Sequence, residues 1–256
     1  MPVHDEEQLL PAALNSLDRA LVHVSGGCMA IGVTIVLDAC SDRSGDIVEE
    51  WRRRAVHLDR RYHIETLETN VRSVGKARRM GCQVLLQRWS DVAPGTIWLA
   101  TTDADSEVPL DWVSAQSRIR SEGGQVWVGS VRVHDWSGRR PGTAEAWRRQ
   151  YETERWPVHG ANFGIDGATY LAAGGFQGLS SGEDRALFEK VVALGAVIRH
   201  DPMGRVVTSG RREARARHGF AHALTSIEAT IASERTSAVL RNHRNDCDLE
   251  TRRPNR

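Results

Sequence analysis

Asp103-Ala-Asp105 sets two carboxylates two residues apart, directly after the apolar run Thr96-Ile-Trp-Leu-Ala-Thr-Thr102. Hard oxygen ligands at this spacing suit magnesium or manganese, and both acids can share one divalent ion with a diphosphate bound to it. The pattern alone carries little weight, because an Asp-x-Asp arises on the order of once by chance in a chain of this length. A second copy, Asp246-Cys-Asp248, has no strand before it. Only the first copy has a strand leading in and a helix, from Pro109 onward, leading out; its alternative reading is a solvated turn.

Glu183-Asp184 follows Ser180-Ser181-Gly182 and opens an amphipathic stretch with Ala186, Leu187, Val191 and Leu194 on one face. Two acids in a first helical turn complement the helix dipole, a contribution of about 0.5 kcal/mol. They also offer a general base for a hydroxyl proton. In His159-Gly-Ala-Asn162 the glycine allows close approach of backbone to a ligand, although a lone histidine is more often a packing residue. The stretch holding Arg205, Arg211, Arg212, Arg215 and Arg217 reads in two ways. It is either a solvated helix face or a lid whose guanidinium forks meet phosphate or carboxylate.

These residues need a frame. Leu10, Leu14, Leu17 and Leu21 recur at helical spacing, so a helix starts almost at once. Ile31-Gly-Val-Thr-Ile-Val-Leu-Asp38 is a continuous, β-branched apolar run, as expected of a strand buried on both faces with Asp38 at its carboxyl end. The spacing then predicts helices near 44–56, 74–89 and 110–121, alternating with strands near 62–68, 96–102 and 124–133. Such alternation predicts an α/β fold, a mostly parallel sheet with helices on both faces, whose ligands bind at the carboxyl ends of strands. Beyond the Gly/Arg-rich Ser137–Gly142 loop the pattern predicts helices near 143–155, 167–173, 183–194 and 219–233, with short strands near 196–200 and 205–208. One domain is expected over 1–240, in halves 1–135 and 136–240, followed by a disordered polar tail over 241–256.

Bulk properties narrow the setting. The 256 residues carry 34 basic and 33 acidic side chains, a formal charge of +1, so no strong overall field draws the molecule to nucleic acid or an anionic membrane. Cys28, Cys40, Cys82 and Cys247 are scattered without a Cys-x-x-Cys pair, which fits a reducing cytoplasm. No apolar run approaches the ~20 residues that cross a bilayer, and no signal-peptide plan opens the chain.

The order of several short elements resembles the family 2 glycosyltransferases of GT-A fold over roughly residues 1–200. They are Pro2-Val-His-Asp-Glu6 before a helix, Asp38 after a strand, Gly75-Lys-Ala-Arg78, Asp103-Ala-Asp105 followed by Val108-Pro-Leu-Asp-Trp112, Gly174-Gly-Phe176, and Glu183-Asp184. The resemblance implies metal-dependent transfer of a sugar from a nucleotide diphosphate donor to an acceptor that is a small molecule, lipid or glycan. By it, Pro2, Val3, His4 and Glu6 line the nucleotide pocket, Asp38 meets the base or ribose, and Arg78 holds the donor. Asp103 faces the ribose or metal, and Asp105 binds the Mg2+ or Mn2+. Asp184, with Glu183 beside it, supplies the catalytic base of an inverting transfer, and His159 and Asn162 lie on the acceptor side. A late histidine, His218 in preference to His200, is the third metal ligand. Without the resemblance, Asp38 reads equally as a helix cap and Arg78 as a surface cation. In this chain the family's first apolar strand is reduced to Met1-Pro-Val3. Rival readings are a processive synthase, a nucleotidyltransferase and a non-catalytic nucleotide-sugar binder. The first lacks its Gln-x-x-Arg-Trp element after Asp184, and the second its glycine-rich amino-terminal loop.

Overall fold

The computed structural model describes residues 1–24, 30–55, 62–212 and 219–233. The expected tail over 241–256 and His218 lie outside the described residues. Strand β1 (Pro2–Val3) leads to helix α1 (Leu10–His23), whose Leu10, Leu14, Leu17 and Leu21 are all buried as the periodicity requires. There follow β2 (Ile31–Asp38), α2 (Ser44–Ala55), β3 (Tyr62–Thr69), α3 (Val74–Arg88), β4 (Trp98–Thr101), β5 (Ser106–Glu107), α4 (Trp112–Ser121) and β6 (Val126–Val133). The second half holds α5 (Thr143–Thr153), β7 (Phe163–Asp166), α6 (Gly167–Ala172), α7 (Glu183–Ala193), β8 (Ile198–Thr208) and a last helix, α8, over 220–233.

The strands form two hydrogen-bonded sheets, and only one is parallel. Order β1-β2-β3 is parallel throughout, with Val3 opposite Leu37 and Asp38 opposite Thr69. Order β4-β7-β6-β8-β5 is mixed: β7 runs antiparallel to both of its neighbours, β5 runs antiparallel to β8, and only β6 and β8 are parallel. The expected α/β fold with a parallel sheet and flanking helices is present, and the second sheet is mixed rather than wholly parallel. The antiparallel members are β7, a four-residue strand inserted between β4 and β6 and buried at every position, and the two-residue β5, both too short to show a period. Two short strands expected near 196–200 and 205–208 are one strand, β8, whose pairing with β6 shifts register between Gly129 and Val131.

Packing brings the strand ends together. Helix α3 lies close on β2 because Gly81 faces Val36 and Thr34, where an added β-carbon would sit 3.3 Å from Val36. Trp51, Ile35, Leu14 and Trp127 belong to one buried cluster, and Phe163, Phe176, Leu99 and Leu187 to a second on the α7 side. Buried Ser16 links α1 to the chain beyond β5, donating to the Ala13 carbonyl at 2.7 Å and accepting the Val108 N–H at 3.0 Å. Among the described residues no helix is long and apolar enough to cross a membrane.

Candidate active site

A cleft of about 590 Å³ opens where β1, β2 and β4 end, and its lining includes Pro2, Val3, His4, Glu6, Asp38, Arg78, Asp103, Asp105, His159, Glu183 and Asp184. Three non-glycine residues with left-handed backbone occur among the described residues: Asp5 (φ 50°), Ala39 (φ 55°) and Arg72 (φ 45°). Each follows the carboxyl end of a strand of the parallel sheet, so strain of roughly 1–3 kcal/mol per residue is concentrated at this rim. Asp38 holds the rim in shape. Its Oδ1 accepts the Arg72 N–H and its Oδ2 the Ser73 N–H, both at 2.9 Å, while the His4 Nδ1 lies 2.6 Å from its carbonyl. Ser73 in turn caps α3 through the Lys76 N–H.

Arg78 is buried beneath the cleft. Its Nη1 donates to Glu183 Oε1 and its Nη2 to Asp103 Oδ1, and the guanidinium lies 6.0 Å from the Phe176 ring centroid. Its Nε has no hydrogen-bond partner among the described residues. A β-carbon on Gly160 would overlap this guanidinium, so the glycine is what lets the His159 loop close over Arg78. Both acids line the cleft, but Glu183 is 3% exposed and committed to Arg78, whereas Asp184 beside it is only partly buried. Successive helical residues point about 100° apart, so a single helix start aims the two acids at different partners.

Asp184 is fixed by two backbone amides. Its Oδ2 accepts the Gly160 N–H at 2.8 Å and its Oδ1 the Arg185 N–H at 2.7 Å. His159 stacks on Tyr151, with centroids 5.5 Å apart and planes 20° apart, and meets Phe220 edge-on at 5.8 Å. Burial lowers its pKa against the opposing pull of Asp184, so the ring is neutral near pH 7.

Asn162, expected on the acceptor side, is not among the residues that line the cleft. It is fully buried, its Oδ1 accepting the Trp112 Nε1–H at 2.9 Å and its Nδ2 donating to the Ser130 and Gly204 carbonyls, both at 2.8 Å. It therefore bonds α4, β6 and β8 into one unit. Asn162→Ala would leave these three groups unpaired, at about 1–3 kcal/mol for each buried orphan. An expected loss of about 3 kcal/mol would lower the urea midpoint at unchanged m-value, and a loss under about 1 kcal/mol would contradict this role. His200 is also not among the residues that line the cleft, and its Nδ1 lies 2.8 Å from the Val128 carbonyl.

Asp105 is the acid that burial perturbs most plainly. Desolvation, reinforced by Asp103 and Glu6 and opposed by Arg211, raises its pKa to about 6. Ser106 Oγ donates to its Oδ1 at 3.0 Å, and Arg211 Nη2 lies 3.1 Å from its Oδ2. Arg211 Nη1 also donates to Glu6 Oε2 at 2.6 Å. Carboxylate oxygens suit a hard divalent ion, although one of those on Asp105 is already paired with Arg211. Among the described residues, the cluster of three acidic, thiol or imidazole ligands within mutual reach is Asp5, Cys40 and Asp42 rather than the Asp103–Asp105 pair. The carboxylates of that cluster accept loop amides, from Ser41 to Asp5 at 2.7 Å and from Glu7 to Asp42 at 2.9 Å. At Asp103–Asp105 the remaining ligand oxygens would have to come from a bound diphosphate, as is usual for Mg2+-type sites.

The family model described as glycosyl transferase family 2 matches residues 1–179. The chain belongs to that family. No curated protein sequence matches it. Among solved structures, the S. aureus TarS fragment 1–349 in complex with UDP-GlcNAc superposes at TM-score 0.59 and 18% identity, covering 84% of this chain and 58% of that one. The mannosyltransferase PcManGT from Pyrobaculum calidifontis, in complex with GDP-Man and Mn2+, gives 0.55 and 17%, covering 84% and 56%. Glucosyl-3-phosphoglycerate synthase from Mycobacterium tuberculosis, with Mn2+, UDP and glucosyl-3-phosphoglycerate, gives 0.51 and 14%, covering 82% and 70%. At these identities the likeness establishes the GT-A fold, and the family 2 chain spans little more than half the length of the first two.

Proposed function

We propose that this family 2 chain transfers a sugar from a nucleotide diphosphate donor to an acceptor hydroxyl, with inversion and with help from a divalent cation. One observation supports the reading: Asp105 and Asp184 line the same cleft, together with Asp38 and the β1 residues. Pro2, Val3, His4 and Glu6 would contact the nucleotide, and Asp105 with Asp103 would hold Mg2+ or Mn2+. When bound, the ion would neutralise charge building on the departing diphosphate, worth several kcal/mol.

The chain's own residues then have distinct tasks. Asp184, locked by the Gly160 and Arg185 amides, takes the proton of the acceptor hydroxyl as its oxygen attacks the anomeric carbon and the bond to the diphosphate breaks. Arg78, paired with Asp103 and Glu183, positions the metal-side carboxylate from below and leaves Asp184 as the base. His159, beside Asp184 and backed by Tyr151, presents a neutral ring to the acceptor. The free thiols of Cys40 and Cys82 fit a cytoplasmic setting.

Proton competition at Asp105 gives a test. Nucleotide-sugar binding in the presence of Mn2+ is expected to be level above pH 7 and to weaken by up to about tenfold per unit below about 6, where Asp105 takes up a proton. The diphosphate diester of a nucleotide-sugar does not titrate in this range, so isothermal titration from pH 5 to 8 reads the protein. A flat profile would remove Asp105 as the metal ligand.

A further inference from the structure

Glu6, between β1 and α1, and Asp105, between β4 and β5, meet on one guanidinium and are both largely shielded from water, 7% and 16% exposed in their side chains. Two such carboxylates side by side repel each other and lose hydration, so they need a cation in place at all times. Arg211 supplies it, with one guanidinium nitrogen on each acid. A divalent ion on Asp105 would meet this guanidinium on the same carboxylate, and the like charges exclude each other at that distance.

The backbone that carries Arg211 is held independently of the cleft. Buried Arg139 donates through Nε to the Gly210 carbonyl at 2.8 Å and through Nη2 to the Arg211 carbonyl. It also reaches α8, donating to Thr225 Oγ1 at 3.1 Å and to the Ala221 carbonyl at 3.3 Å. Glu228 closes the knot, accepting the Arg140 N–H at 2.9 Å and pairing with Arg212 at 3.1 Å. With its carbonyl pinned, Arg211 can change partners by swinging its side chain alone.

We propose that Arg211 is an internal counter-ion of the Glu6–Asp105 pair, handed to the donor diphosphate when a divalent cation takes its place on Asp105. The proposal rests on the donor-site reading above. Free metal must then displace the guanidinium from Asp105 with only Glu6 left to hold it, and binds weakly. With a nucleotide diphosphate present, the guanidinium moves to phosphate oxygens, so metal and nucleotide strengthen each other by a shared coupling.

Mn2+ binding by electron paramagnetic resonance, alone and with UDP or GDP, tests this. Arg211→Met should tighten free Mn2+ by at least roughly tenfold, the scale of removing one charge partner from a desolvated pair, and should reduce the effect of the nucleotide by a similar factor. Arg211→Gln should act like Arg211→Met, while Arg211→Lys should stay near the parent chain. Unchanged or weaker free Mn2+ binding in both neutral variants, with folded circular dichroism, would overturn the proposal. If neutral variants tighten free Mn2+ but neither nucleotide alters Mn2+ affinity in the parent chain, the counter-ion stands and the diphosphate reading beneath it fails.

Discussion

Asp184→Asn is expected to cut turnover by about a thousandfold while donor binding stays within about threefold of the parent chain. Positioned general bases contribute on the order of 10²- to 10⁴-fold, and this carboxylate is positioned by two short amide contacts, 2.8 Å from Gly160 and 2.7 Å from Arg185. An asparagine keeps the side-chain shape but cannot take up a proton, and it can accept only one of those two amides well. Donor titration separates the two effects, since a collapsed His159 loop would weaken binding as well as turnover. Full turnover by Asp184→Asn would exclude it as the base, and so would a product that retains the donor's anomeric configuration. Glu183→Gln is a different experiment, because Glu183 is spent on buried Arg78 and its loss acts on the fold.

Asp105→Ala is expected to weaken Mn2+-dependent nucleotide binding by at least about a hundredfold. The estimate follows from losing a primary ligand, where even supporting partners cost roughly 10- to 100-fold. Arg211 would keep Glu6 in this variant, so the fold of the rim should persist and the unfolding temperature of the ligand-free protein should not fall with the affinity. Retained Mn2+-dependent binding in Asp105→Ala would place the cation elsewhere.

Much of this arrangement is readable from the chain. β2 announces itself as an apolar run rich in β-branched residues, buried from Thr34 to Asp38, and it ends on the acid that organises the rim. β5 and β7 are silent because two and four residues show no period, and these two strands are what make the second sheet mixed. Asp103-Ala-Asp105 and Glu183-Asp184 are visible as pairs, but which acid of the second pair is committed to Arg78 depends on the rotation of α7. Asn162 was legible only as a polar residue beside glycine, since its partners lie 32, 42 and 50 residues away. The same holds for Arg211: an arginine run is evident, but its pairing with Glu6 across 205 residues exists only once β8 returns the chain to β1.

The most direct measurement is the thermal unfolding of the parent chain with UDP-, GDP- and dTDP-sugars, each with Mn2+ and with EDTA. At least one donor should raise the unfolding temperature with Mn2+ and lose that effect in EDTA. No stabilisation by any of them in the presence of Mn2+ would contradict a cation-assisted donor site in this cleft.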